Sequence, residues 1–149
     1  MRLLMRSMGF LACLFFFGTV HATHAEGEIP GCENVQISYK LNNQIYKIDA
    51  EVCTNIYNQY YSKNCSDGCE FREAIINNKS FNIPSYNGVG TPGWNVCSQL
   101  GYRAYIVEFD FHGKNVKNLG LCFNKSKDGF VSTGFLSDLA NERKKNKEQ

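Results

Sequence analysis

Between Val35 and Val52 apolar and polar residues alternate in two runs separated by Asn42-Asn43. Period-two alternation marks a half-buried strand, and paired asparagines accept the positive φ of a two-residue hairpin turn. With Asn42-Asn43 as the loop, Val35, Ile37, Tyr39 and Leu41 share a face with Tyr46, Ile48, Ala50 and Val52. The other face carries Asn34, Gln36, Ser38 and Lys40 opposite Glu51, Asp49, Lys47 and Ile45. A slip of one residue scrambles that separation, so the register is well specified. The same register sets Cys32 opposite Cys53 in a non-hydrogen-bonded pair, with Cα atoms about 4.5 Å apart, within reach of a disulfide.

The pattern then changes. Ile56, Tyr57, Tyr60 and Tyr61 recur at helical spacing after Thr54, and Phe71, Ala74 and Ile75 form a stripe behind the capping-box pattern Asp67-Gly68-Cys69-Glu70. Two short helices are predicted, the second ending near Asn77-Asn78. After a loop from Lys79 to Gly90, Thr91-Pro92 reads as a cap and a first-turn proline. Trp94, Cys97 and Leu100 mark the inner side of that helix, and Gly101 ends it. Tyr102–Phe111 is strand-like, Gly113 turns the chain, Val116–Phe123 returns, and Asp128-Gly129 turns again before a third strand, Phe130–Leu136. The expected fold class is α+β: an N-terminal disulfide-stapled β-hairpin, short helices, then a helix plus a three-stranded antiparallel meander. Residues 26–139 form one domain on this reading, and residues 140–149 (ANERKKNKEQ) form a charged C-terminal tail, a frayed helix end in solvent.

The N-terminus adds a compartment. Arg2 and Arg6 precede an apolar run of 12 residues, Gly9–Val20, too short to span about 30 Å of hydrocarbon as a helix. Small-residue cleavage sites follow at Val20-His21-Ala22 or Thr23-His24-Ala25. Residues 1–25 are therefore read as a signal peptide, with cleavage favoured after Ala25. Leu11-Ala12-Cys13 loosely matches a lipoprotein box, but Phe15-Phe16-Phe17 lies beyond Cys13 and would be left as a greasy terminus. No later stretch approaches 18 apolar residues, so no other membrane span is expected.

All 14 acidic residues, and every basic residue except Arg2 and Arg6, follow Ala25. The exported chain is near-neutral, which argues against a nucleic-acid partner held by counterion release. Setting Cys13 aside, Cys32, Cys53, Cys65, Cys69, Cys97 and Cys122 remain, an even number suited to a disulfide framework in an exported chain. Cys97–Cys122 would pin helix to sheet and leave Cys65–Cys69. The main competitor pairs 53 with 65 and 32 with 69. Structural zinc is disfavoured because the shortest cysteine spacing is Cys65-x-x-x-Cys69 and His112 is the only histidine after Ala25.

The segment from Thr91 to Leu136 resembles a family of small bacterial envelope proteins of unknown function that often carry a haemolysin label. Thr91-Pro92-Gly93 leads to Cys97 and Gly101, Gly120-Leu121-Cys122 follows, Asp128-Gly129 is the turn, and Phe135 stands where the family has tryptophan. Thr91 replaces the family's Asn, Gly93 its Ala, Val96 its usual Tyr and Tyr102 its second Gly. The resemblance implies a helix-plus-meander unit and a bacterial envelope location. None of its motifs is catalytic.

Candidate chemistry is sparse. There is no G-x-S-x-G, no free thiol if six cysteines pair, and Gly88-Val89-Gly90 lacks the remaining elements of a phosphate-binding loop. On a strand Glu108, Asp110 and His112 share one face, with the carboxylates about 7 Å apart, near the spacing of an inverting glycosidase or a metal site. The blander reading is the wet side of a strand whose buried side is Tyr105, Val107, Phe109 and Phe111. Tyr60, Tyr61, Tyr86 and Trp94, interleaved with asparagines, are a candidate contact surface for a protein or glycan ligand. The alternative is a tyrosine rim on the core with wet hydroxyls. These features lead to an exported, non-enzymatic binding or inhibitor-like module of the bacterial envelope or extracellular space, with no cofactor and no metal. The alternatives are a small hydrolase or metal-dependent enzyme using Glu108, Asp110 and His112, and, on the family label alone, a membrane-damaging toxin.

Overall fold

The computed structural model describes residues 31–78, 80–83 and 91–148. The signal-peptide reading, Cys13, Tyr86 and Gly88-Val89-Gly90 fall outside the described residues. The stapled hairpin is present in the expected register: β1 (Gly31–Leu41) pairs antiparallel with β2 (Gln44–Thr54), Cys32 opposite Cys53 and Tyr39 opposite Tyr46. Asn42 and Asn43 have φ of 49° and 63°, the signature of a type I′ turn.

The expected separation of hairpin and meander does not hold. The strands form one closed antiparallel barrel in the order β1-β2-β3-β6-β5-β4, with β3 at Tyr60–Ser62, β4 at Arg103–Phe111, β5 at Lys114–Phe123 and β6 at Phe130–Ser132. Two short seams make the closure. Ser38 and Tyr39 pair with Glu108 and Val107, and Tyr61 pairs with Val131. Neither seam has a local sequence signature, because both join strands far apart in the chain.

Two further elements differ from expectation. The helix expected around Tyr60-Tyr61 is a turn followed by β3, in which Tyr60 points inward and Tyr61 outward. Phe130–Leu136 is not a full strand: after Ser132 the chain enters α3 (Thr133–Glu148). The Ser132 hydroxyl accepts from Phe135 N–H at 3.4 Å and so acts as the N-cap. Leu136, Leu139, Ala140 and Arg143 then fall at helical spacing and are all buried. The run read as a charged tail thus places Ala140 and Arg143 in the interior. Arg143 donates to the carbonyls of Ile75 and Ile76, at the end of α1 (Cys69–Arg72) where it continues as a π-helical turn, Glu73–Asn77.

Helix α2 (Pro92–Gln99) begins as its sequence reads, with the Thr91 hydroxyl accepting from Trp94 N–H at 3.3 Å. It ends at Gly101, φ +75°, where Tyr102 N–H donates to Cys97 O and Gly101 N–H to Ser98 O, the paired bonds of a Schellman stop. Its buried face is Gly93, Val96 and Cys97, while Trp94 and Leu100 are half-buried.

Two cores result. Seven aromatic rings, Tyr39, Tyr60, Tyr105, Phe109, Phe111, Phe123 and Phe130, fill the barrel with Val35, Ile37, Val52, Val107 and Leu121. Tyr39 and Tyr105 centroids lie 4.6 Å apart, and Tyr60 meets Phe109 and Phe111 edge-on at 5.5 Å. A six-stranded barrel closed on so many rings is a packed interior, in keeping with small barrels generally. The second core lies outside the wall, where Cys122, Val131 and Tyr61 meet Phe71, Ile75, Val96, Leu136 and Leu139 of the helices. The disulfides are Cys32–Cys53, Cys65–Cys69 and Cys97–Cys122. The last ties α2 to the outer face of β5. Among the described residues no helix is long and apolar enough to cross a membrane.

Candidate functional site

The residues singled out as a contact surface do not gather. Tyr60 is inside the barrel, 6% exposed. Tyr61 is half-buried against Phe135 of α3, with ring centroids 6.2 Å apart. Trp94 is half-buried on α2, and Tyr86 lies outside the described residues. Glu108, Asp110 and His112 are exposed, and each has its own partner. Glu108 sits at a register shift in β4 and pairs with Lys117 at 3.5 Å. Asp110 accepts from Asn115 Nδ2 at 2.8 Å. His112 has left the strand for the turn at φ 48°, donating its backbone N–H to Glu33 with Nδ1 3.5 Å from the same carboxylate. Among the described residues no group of three or more His, Cys, Asp or Glu side chains is placed to hold a metal ion.

Two other places stand out, at opposite ends of the barrel. The first is the turn between β2 and β3, next to the start of β1, since Thr54 pairs with Gly31. Here Ile56 and Tyr57 are 72% and 75% exposed, the two most exposed large apolar side chains among the described residues. Burying a single such side chain is worth about 1.5–3 kcal/mol, so a tip that leaves two in water forgoes a substantial gain.

The turn is held by its own polar side chains. Asn55 Oδ1 accepts from the N–H groups of Tyr57 (2.9 Å) and Gln59 (3.1 Å), and Asn55 Nδ2 donates to Gln59 Oε1 at 2.8 Å. Asn55 N–H donates to Gln59 O at 3.2 Å, and Asn58 carries the positive φ of 55° that reverses the chain. Gln59 Nε2 donates to Asp138, tying the turn to α3. Cys53, two residues upstream of Asn55, is bridged to Cys32. The missed signal was this asparagine pattern: Asn55 and Asn58 bracket Ile56-Tyr57, an Asx-turn arrangement that a helical-spacing count does not register.

The second place is a cleft of about 280 Å³ at the far end, where β1 and β5 finish and β4 starts. Leu41, Tyr105 and Phe123 form its apolar floor, and Arg103, Lys125 and Lys127 stand around it. The loop carrying the two lysines is cross-braced. Asn124 N–H donates to Gly129 O at 2.9 Å, Gly129 N–H to Asn124 Oδ1 at 3.2 Å, and Asn124 Nδ2 to Asp128 at 2.7 Å. Together with the Ser126 hydroxyl, Asn124 holds the Asp128 carboxyl below its usual pKa. Tyr102 also lines the cleft, and burial and the neighbouring Glu70 carboxylate, 3.3 Å from its hydroxyl, push the phenol above its usual pKa.

Comparison of the chain with protein families, with curated proteins and with solved structures finds no match.

Proposed function

We propose that the protein is an exported, non-enzymatic binding or inhibitor-like module that meets a protein partner through the Ile56–Tyr57 turn, in a bacterial periplasm or the extracellular space. The carrying observation is two adjacent, water-exposed apolar side chains on a turn fixed by Asn55, Gln59 and the Cys32–Cys53 bridge. Binding costs fall when a loop is already ordered in its bound shape, and tyrosine is over-represented among residues that dominate interface energies. The separate engagement of Glu108, Asp110 and His112 supports binding over catalysis. Three disulfides suit an oxidising compartment.

The test uses oxidised protein beginning at Glu26 as bait against periplasmic and secreted fractions, beside an Ile56→Asp/Tyr57→Asp variant. Both substituted side chains point into water, so the variant keeps its disulfides and melting temperature. A partner retained by the parent and lost by the variant, with at least about a tenfold weaker Kd on titration, is the expected result. Identical capture by both baits refutes the assignment of the turn.

A further inference from the structure

We propose that the cleft at the other end of the barrel is a separate ligand site, for a small organic anion: a carboxylate or phosphate carried on a flat apolar body. It is distant from the Ile56–Tyr57 turn and rests on different observations. The first is charge. Arg103, Lys125 and Lys127 converge on the cleft, and none of its lining residues is acidic. Three cations elsewhere are matched, Lys63 with Glu51 at 2.9 Å, Arg72 with Glu142 at 2.9 Å and Lys117 with Glu108 at 3.5 Å. Other surface lysines stand singly in water, and the cleft differs in gathering three cations around one cavity. Among the described residues the three cations of the cleft have no carboxylate partner within ion-pair distance. The nearby carboxylates are engaged, Asp128 by Asn124 and Ser126 and Glu70 by Tyr102. Like charges gathered without counter-charge repel one another, and a bound anion relieves that repulsion.

The second observation is the posture of Lys127. Its backbone sits at φ +62°, a region ordinary side chains seldom adopt. Its ammonium lies 5.8 Å from the centroids of both Tyr39 and Tyr105 and 3.4 Å from the Tyr39 hydroxyl. Ring faces and a phenol hold a cation over the barrel mouth while leaving donor capacity free, since an ammonium has three N–H groups. Backbone conformations of this kind persist where surrounding bonds enforce them, as the Asn124–Gly129 bracing does here.

The third observation sets the ligand's shape. Tyr105, Phe123 and Leu41 line the same cleft as the cations, with Lys127 over the Tyr105 ring, so the ligand that fits pairs an anionic end with an apolar one. At about 280 Å³ the cleft lies near the lower end of ligand pockets and takes one ring-sized group. A polymer that binds by charge alone would not need the floor.

The experiment is a titration of ¹⁵N-labelled oxidised protein followed by backbone amide shifts, with phenylacetate and phenyl phosphate as probes. Phenylacetamide lacks the charge and acetate lacks the ring. A probe of this size reaches a roughly millimolar Kd. Phenylacetate or phenyl phosphate should move amides of residues 101–105 and 123–127, and phenylacetamide and acetate should bind at least about fivefold more weakly. Arg103→Gln/Lys125→Gln, which spares the strained Lys127 backbone, should weaken the anionic probes by about fivefold. Ile56→Asp/Tyr57→Asp should leave them unchanged, so the two sites fail or stand independently. Equal binding of phenylacetamide, shifts centred elsewhere, no saturable shift, or an Arg103→Gln/Lys125→Gln variant that binds like the parent would each overturn the proposal. The relative affinity of the carboxylate and phosphate probes distinguishes the two anion sources.

Discussion

Replacing Gly93 by alanine should unfold this protein more easily, although glycine within a helix is ordinarily a weakness. A Cβ at position 93 would stand 1.7 Å from the carbonyl oxygen and 2.6 Å from the carbonyl carbon of Thr133, where ordinary contact begins near 3.4 Å. The obstructing atoms are backbone, so they cannot swing aside as the Ser137 hydroxyl can. Helix α2 would have to retreat from the start of α3 by more than an ångström, yet the Cys97–Cys122 bridge tethers it to β5. Overpacking costs about 1–3 kcal/mol and occasionally more. The tether places the cost near the top of that range, reduced by up to about 1 kcal/mol of helix propensity. A net loss of about 2–3 kcal/mol lowers the melting temperature by roughly 6–15 °C in a domain of this size. Gly134→Ala is the control: in the first turn of α3 its nearest neighbour is Ser132 Oγ at 4.0 Å, so alanine should stabilise by about 0.5–1 kcal/mol. Thermal unfolding by circular dichroism reads both. A Gly93→Ala protein melting within about 2 °C of the parent would refute the close approach of α2 to α3.

Opening the hairpin staple with Cys32→Ser/Cys53→Ser should cost roughly 3 kcal/mol of unfolding free energy in urea, from the chain entropy returned to the unfolded state; a change below about 0.5 kcal/mol would contradict this. Asp128 supplies a pH test of the cleft loop. Its folded pKa is depressed, first by Ser126 and then by Asn124, so its contribution is present above the unfolded value of about 3.9 and lost as pH falls through the lower folded value. Carboxyl ¹³C titration should place Asp128 below the ordinary range, and Ser126→Ala should move it back up. An unshifted Asp128 would mean that the loop is not braced as described.

Legibility followed range along the chain. The β1–β2 register, the Asn42-Asn43 turn, the cap at Thr91 and the stop at Gly101 were readable because each depends on residues that are near neighbours or alternate in place. Cys32–Cys53 followed from that register and Cys97–Cys122 from the helix and strand around it, while Cys65–Cys69 was only the leftover pair, and the structure decided it against the pairing of 53 with 65 and 32 with 69. The Ile56–Tyr57 turn was misread because four aromatic and aliphatic residues spaced for a helix also fit a turn followed by a short strand, and Asn55 and Asn58 decided between them. In α3 the lysine-rich sequence concealed Leu139, Ala140 and Arg143, which are buried by partners far away in the chain.

From its amino acids alone the protein was bound to be a stapled hairpin, a capped helix and strands separated by polar turns, because alternation, capping and cysteine pairing act over a few residues or one register. Only the tertiary structure decided that those strands close into a single ring. It also decided that Tyr60 is interior, and that the Ile56–Tyr57 turn and the cleft of Arg103, Lys125 and Lys127 end up at opposite mouths of the barrel. Closure is settled by packing between segments up to about 70 residues apart, Ser38 with Glu108 and Tyr61 with Val131, and no local pattern encodes such a meeting.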